Sequence, residues 1–374
     1  MKKILILNWR DPKNPDSGGA EIVTLQHAKA WVKNGHSATW FTSKFSGAKK
    51  EEKIDGVNIV RRGNFLTVHL LAPFFYLFSK EKFDLVIDEI HGIPFFTPLY
   101  VRKPKIAFIH EVASDIWDYM YPFPINKIGK IIEKVYFYLY RDLQFWTDAP
   151  STIDDLEKFG IKRLNCIAIP CPSENKALTT LPKKEKIPTF IFVSRVVKMK
   201  GIEEVIKAFF YILKEVKNGQ LWIVGDGDKK YLEYLKKTMH DYSISTKVKF
   251  FGRVTESNKL NLMKKAHILL HASIREGWGL VVTEAASQAT PSIVYNVSGL
   301  RDSVVNNKTG IVLSENSPFE MAKQSVLLLN NKKRYEDFQK NALAWAKSLT
   351  WDKATKQSLK LIDILGTAKK KYGK

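Results

Sequence analysis

The sequence predicts an α/β chain built as two tandem units, each a mostly parallel sheet covered by helices on both faces. Three observations support this. Short aliphatic runs of strand length alternate with segments of helical spacing along the chain. The alternation stops at residues 172–188, PSENKALTTLPKKEKIP, then restarts in the same form. The length of 374 residues suits two domains with full-sized cores.

In chain order, strands are predicted at ILILNW, SATWFTS, VNIVRR, DLVIDEI, KIAFIHE and NCIAIP, with helices over 20–32 and 125–140. Near-continuous aliphatic runs of this kind read as strands buried on both faces. Residues 1–172 form the first domain. Residues 173–187 are a linker, polar and proline-bounded, without helical or strand period. Residues 188–350 form the second domain, with TFIFVSR, a helix over 201–216, LWIVGDG, a helix from Lys229, VKFFGR, HILLHAS, PSIVYNV and GIVL. Residues 351–374 read as a last helix whose lysine-rich end is solvated. Open α/β sheets bind ligands beyond the carboxyl ends of their strands, so two such units face to face would make a deep cleft.

The formal charge is +22. Residues 1–176 hold 25 Lys+Arg against 20 Asp+Glu, and residues 177–374 hold 35 against 18. This excess reads either as lysine-rich exposed helix faces or as attraction to an anionic small molecule or membrane. Nucleic acid is not an expected partner, because the chain has no arginine-rich arm, zinc-finger spacing or RNP-like aromatic strand. Cys166 and Cys171 are too few and too close for a disulfide framework, so reduced thiols are expected. The start, MKKILILNWR, has an apolar run too short for a signal peptide, and a cytoplasmic protein is expected.

The most informative stretch is REGWGLVVTEA, residues 275–285, placed just after a strand. Its glycines expose backbone N–H groups at a helix entry, where an anion is favoured. Glu276 in the loop suits hydroxyl groups, and Glu284 further along the helix could reach a diol. Acid, amides and acid in that order describe a nucleotide sugar; otherwise the stretch is a glycine-broken loop before a surface helix. In SRVVKMKGIEE, Arg195 ends a strand and Lys200 opens a helix, so both could neutralise a departing diphosphate. The alternative is a solvated basic turn. Gly18 and Gly19 in PDSGGAE present amides at another helix start. Asp226-Gly227-Asp228 reads as turn and helix-cap chemistry, and no His/Asp/Glu metal cluster is visible in the spacing.

These segments resemble the retaining glycosyltransferases of family 4. REGWGLVVTEA resembles their glutamate–seven–glutamate motif and SRVVKMKG their Gly-Arg-Leu-x-x-x-Lys-Gly segment. WIVGDG, VKFFGRV, AASQATPSIVYNVSGLRDSV, NNKTGIVL and the N-terminal GGAEIVTLQHAKAWVKNGH follow in the family's order. The resemblance covers most of the chain and is weakest between about residues 60 and 160. It implies the GT-B fold, two Rossmann-like domains facing across a cleft that closes over the donor, with the C-terminal helix returning to the N-terminal domain. It implies transfer of a hexose-type sugar from a nucleoside diphosphate sugar to a hydroxyl acceptor, with retention, in glycan, glycolipid or polysaccharide synthesis. No metal or other cofactor is implied. By position, Glu276 would contact the sugar, the backbone of Gly277, Trp278, Gly279, Leu280 and Val281 would line sugar and phosphates, and Glu284 would hold the ribose. Arg195 and Lys200 would bind the diphosphate, Arg253 and Val254 would lie by the base, and Gly18 and Gly19 near the phosphates. The family often has a histidine near the sugar where His110 stands, and His91 could help form the acceptor side. Ser194, Ser298 and Asp302 depart from the usual residues.

Residues 65–78, FLTVHLLAPFFYLF, are too short and interrupted to span a bilayer. They read as a core helix or, beside Arg61, Arg62, Arg102, Lys103 and Lys105, as a face toward an anionic membrane bearing a lipid-linked acceptor. In that case the protein would touch the inner face of the cell membrane. The rival functions are hydrolysis or epimerisation of a nucleotide sugar, or a non-enzymatic basic binding protein on a degenerate scaffold.

Overall fold

Leucine, isoleucine, valine and phenylalanine in short runs make strands that pack on both faces of a pleated sheet. The computed structural model describes residues 1–367 and divides into two units: Met1–Cys171 with the chain from Trp351 onward, and Pro172–Thr350.

Unit 1 has strands β1 (Lys3–Leu7), β2 (Ser37–Thr42), β3 (Glu51–Ile54), β4 (Val57–Arg61), β5 (Leu85–Ile90), β6 (Lys105–Ile109), β7 (Gln144–Thr147) and β8 (Cys166–Ala168). They lie in the order β3-β4-β2-β1-β5-β6-β7-β8, and only β3 runs antiparallel to its neighbour. Its helices are α1 (Gly19–Lys33), α2 (Thr67–Phe78), α3 (Ile116–Met120), α4 (Ile125–Tyr140) and α5 (Pro150–Glu157). Strands β3 and β7 were not expected from sequence. The first is a charged edge strand, EEKI, and the second a four-residue run, QFWT, with no aliphatic residue.

Unit 2 has β9 (Thr189–Val193), β10 (Gln220–Val224), β11 (Val248–Gly252), β12 (Ile268–His271), β13 (Ser292–Val294) and β14 (Gly310–Val312), all parallel, in the order β11-β10-β9-β12-β13-β14. All six match predicted strands. Its helices are α6 (Ile202–Glu215), α7 (Lys229–Asp241), α8 (Glu256–Lys265), α9 (Leu280–Ser287), α10 (Pro318–Asn330) and α11 (Lys332–Ser348). A single core runs through this sheet, with Phe190, Phe192, Ile206, Phe209, Leu269 and Leu270 fully buried.

Helix α12 (Trp351–Thr367) belongs to unit 1 and packs on α1. His27 Nδ1 lies 2.9 Å and Trp31 Nε1 3.0 Å from the buried Ser358 hydroxyl, and the Trp351 ring meets His27 edge-on. The return of the C-terminal helix to the first unit is therefore observed. The lysine-rich end expected to be solvated, residues 368–374, lies outside the described residues.

The core-helix reading of residues 65–78 is corrected. Only Val68 and Ala72 of α2 are buried, while Leu70, Leu71, Phe74, Leu77 and Phe78 are exposed. Among the described residues no helix is long and apolar enough to cross a membrane. Cys166 and Cys171 are free thiols, and Asp228 caps α7 by accepting from Lys230 N and Tyr231 N, as its turn context suggested.

Candidate active site

In unit 2 the chain winds from β9 outward to β10 and β11, then returns to β12 on the other side of β9. The crevice beyond the carboxyl ends of β9 and β12 is thus the topological switch point. The two motifs singled out in the sequence leave the sheet there.

The loop after β9 carries Arg195, which is exposed, and Lys200, which is mostly buried. The loop after β12 is pinned to it: Ile274 N donates to Met199 O at 3.0 Å, and Ser273 Oγ donates to the same carbonyl at 3.2 Å. These contacts bring Lys200 Nζ to 2.7 Å from Glu276 Oε1. His271, the buried last residue of β12, places Nε2 3.0 Å from the same oxygen. Burial alone would push the Glu276 carboxyl up, but the charge of Lys200 and the His271 hydrogen bond outweigh it and hold the group well below the ordinary range. Glu276 is therefore a fixed carboxylate.

A third loop completes the arrangement. Glu276 N donates to Ser298 O at 3.2 Å, and Gly299 sits against the Glu276 carbonyl. A Cβ on Gly299 would stand 1.8 Å from that oxygen, and its φ of +77° is left-handed, so glycine is required there. Gly279, φ +80°, is the N-cap of α9 and supplies no side-chain cap, leaving the helix entry bare. Gly277 and Leu280 are half-buried, as is Val281, which packs on the core, whereas the Trp278 side chain is buried. Of Trp278, only backbone fits the lining role.

Glu284 lies a little over one turn into α9. Its carboxyl is raised by burial, an effect opposed by Lys259, whose Nζ is 2.8 Å from Oε2. Lys259 also pairs with Glu256. Arg253 is exposed and Val254 half-buried in the turn after β11.

In unit 1, His110 follows β6 and is nearly buried. Its Nδ1 is 2.5 Å from Asp148 Oδ2 and its Nε2 is 3.2 Å from Glu89 Oε1. Burial would lower its pKa, but Asp148 and Glu89 win and raise it well above 6.5. The Gly18 amide, expected to face a ligand, donates instead to Glu21 Oε2 at 2.6 Å; Gly19 is the first residue of α1. His91 is held by Arg10, whose Nη2 lies 2.7 Å from Nε2. Glu21, Glu89 and His91 bring potential ligand atoms within 4.8 Å of one another, a grouping the sequence spacing did not reveal. The Arg10 guanidinium, also 3.1 Å from Glu21, already supplies a cation there.

Sequence reasoning missed His271, Lys259, Asp148 and Glu89. The signal for Glu89 was present: two consecutive acids in the apolar strand LVIDEI need buried partners. Lys259 is one lysine among many and gave none.

Comparison with known proteins agrees with this architecture. Residues 174–345 match the family described as glycosyl transferases group 1, and residues 17–173 match glycosyltransferase family 4. An uncharacterized glycosyltransferase of Methanocaldococcus jannaschii is 30% identical over 323 residues, covering 84% of this chain and 76% of that protein. Sucrose-phosphate synthase from Thermosynechococcus elongatus superposes with a TM-score of 0.79 at 16% identity, over 98% of this chain and 100% of that one. Anabaena HepE, solved in complex with UDP-glucose, gives a TM-score of 0.73 at 15% identity, over 97% of this chain and 100% of that one. The fold is that of the GT-B glycosyltransferases.

Proposed function

The chain belongs to the group 1 and family 4 glycosyltransferases, and on that premise we propose that it moves a hexose-type sugar from a nucleoside diphosphate sugar to a hydroxyl acceptor with retention. The supporting observation is the one built around α9. A fixed carboxylate at Glu276 and a second acid at Glu284 flank a bare, glycine-rich helix entry. The loop bearing Arg195 and Lys200 is pinned alongside.

In this reading Glu276 accepts hydroxyl groups of the sugar through the oxygen that Lys200 and His271 do not use. Glu284 exchanges Lys259 for the ribose diol. The diphosphate lies at the α9 entry, where backbone N–H groups, Arg195 and Lys200 stabilise the charge that grows as the glycosidic bond breaks. Arg253 and Val254 lie by the base. The leaving phosphate takes the acceptor proton on the same face of the sugar, so neither glutamate works as an acid–base pair. Metal assistance is not part of the proposal, because two side-chain cations already serve the diphosphate. The roles of Gly18, Gly19 and His110 rest on the family resemblance. A cytoplasmic setting with a lipid-linked acceptor belongs to the same proposal.

The test is thermal stabilisation of the purified protein by UDP, GDP and ADP sugars, followed by NMR of the product. Stabilisation by one donor class and a retained anomer are expected. Free sugar or a new nucleotide sugar without added acceptor would favour hydrolysis or epimerisation, and an inverted anomer would overturn the mechanism.

A further inference from the structure

Helices α2 and α4 carry the strongest apolar exposure in unit 1. On α2, Leu70 is 70%, Phe74 61% and Phe78 78% exposed. On α4, Ile128, Ile131, Val135 and Tyr138 recur at helical spacing, each more than half exposed. The opposite face of α4, with Tyr136, Phe137 and Tyr140, is buried.

Both outer faces look the same way. Helix α2 joins β4 to β5 and α4 joins β6 to β7, and both connections step along the sheet in the same direction. Right-handed crossovers then put both helices on one face. The cores agree: α2 packs on Val86 and α4 on Ile90, which alternate with Asp88 along one side of β5, and Tyr140 donates to Asp88. Helix α1 takes the other side, where Thr24 donates to Glu89.

We propose that the outer faces of α2 and α4 together form a docking surface for an anionic lipid bilayer. Charge selects that occupant. Residues 63–78 hold no Asp, Glu, Lys or Arg. The one acid of α4, Glu133, is buried and bonded to the amides of Ala113 and Ser114. Lys127 and Lys134 are exposed along the border of the apolar stripe, where long side chains can reach lipid head groups. A second copy would bring its own exposed Lys127 and Lys134 against the same lysines across such a contact, whereas an anionic surface attracts them. The inference does not rest on the transfer chemistry, since nucleotide binding is measured without lipid.

The test is co-sedimentation of the full chain with phosphatidylcholine vesicles, with and without phosphatidylglycerol. Compared with it are Phe74→Glu, Ile131→Glu and the double charge variant Lys127→Glu/Lys134→Glu. All four positions are exposed, and thermal melts check that the variants fold. Wild type should partition to the anionic vesicles, and each variant should lose at least about tenfold of that partitioning. No partitioning of wild type, or partitioning that both apolar variants leave unchanged, overturns the proposal. So does a dimer, seen by light scattering, that Ile131→Glu dissolves.

Discussion

Replacing Glu276 by alanine removes the acceptor of two interactions at once. Lys200 Nζ loses a carboxylate oxygen at 2.7 Å and His271 Nε2 loses the same oxygen at 3.0 Å. The Lys200 side chain is only 14% exposed, so most of its charge is left without partner or water. Breaking a buried ion pair from one side costs about 3–5 kcal/mol. The remaining solvent access at both partners puts this case near about 3 kcal/mol, a fall in Tm of roughly 6–12 °C at about 2–4 °C per kcal/mol. Turnover should fall further, by about two to three orders of magnitude, if the carboxylate also holds the sugar in the transition state. The assay is denaturant unfolding plus sugar transfer for wild type, Glu276→Ala, Lys200→Ala and the double variant. The double variant should be less destabilised than the sum of the singles by at least about 1 kcal/mol, yet stay inactive. Additive destabilisation, or near-normal transfer by Glu276→Ala, would refute the reasoning.

Other expectations follow from the same geometry. Arg195 is exposed, so Arg195→Ala should shift Tm by no more than about 2 °C while turnover drops about a hundredfold or more. The raised pKa of His110 means its contribution to stability is full below pH 6.5 and is lost as pH rises through the folded value. NMR should find the ring charged at pH 7.5, and Asp148→Asn should bring its titration back toward 6.5. Glu276 has the opposite sign: its pairing is fully present above its ordinary value of 4.5 and is lost only as pH falls through the depressed folded value. The stability gap between wild type and Glu276→Gln should therefore narrow as the pH is taken below that ordinary value. Gly299→Ala should cost about 2 kcal/mol or more and lower transfer, because the new Cβ collides with the Glu276 carbonyl; unchanged unfolding midpoints would contradict this.

The strands of unit 2 were legible because most are short runs of aliphatic and aromatic residues between turn residues, as in TFIFV and ILLH. The edge strand EEKI was not, because its charged residues oppose the state that the neighbouring strand imposes, and QFWT was not, because its strand-favouring residues make a run of only four without an aliphatic residue. Glu276, Glu284 and Lys200 stood out as candidates because glycines mark the turns that precede or follow them. What sequence did not show is that Lys200 and Glu276, assigned to different parts of the ligand, touch each other. Crossover connections bring residues 76 positions apart into contact, and no local pattern reports that. The same holds for Lys259 beside Glu284 and for the carboxylates around His110.

The central claim is that Glu276 and Glu284 hold opposite ends of one nucleotide sugar. Calorimetric binding of the nucleoside diphosphate and of its sugar conjugate to wild type, Glu276→Ala and Glu284→Ala tests it most directly. Glu284→Ala should weaken both ligands, whereas Glu276→Ala should weaken the sugar conjugate and leave the diphosphate bound as in wild type. Equal losses for both ligands in both variants would contradict it.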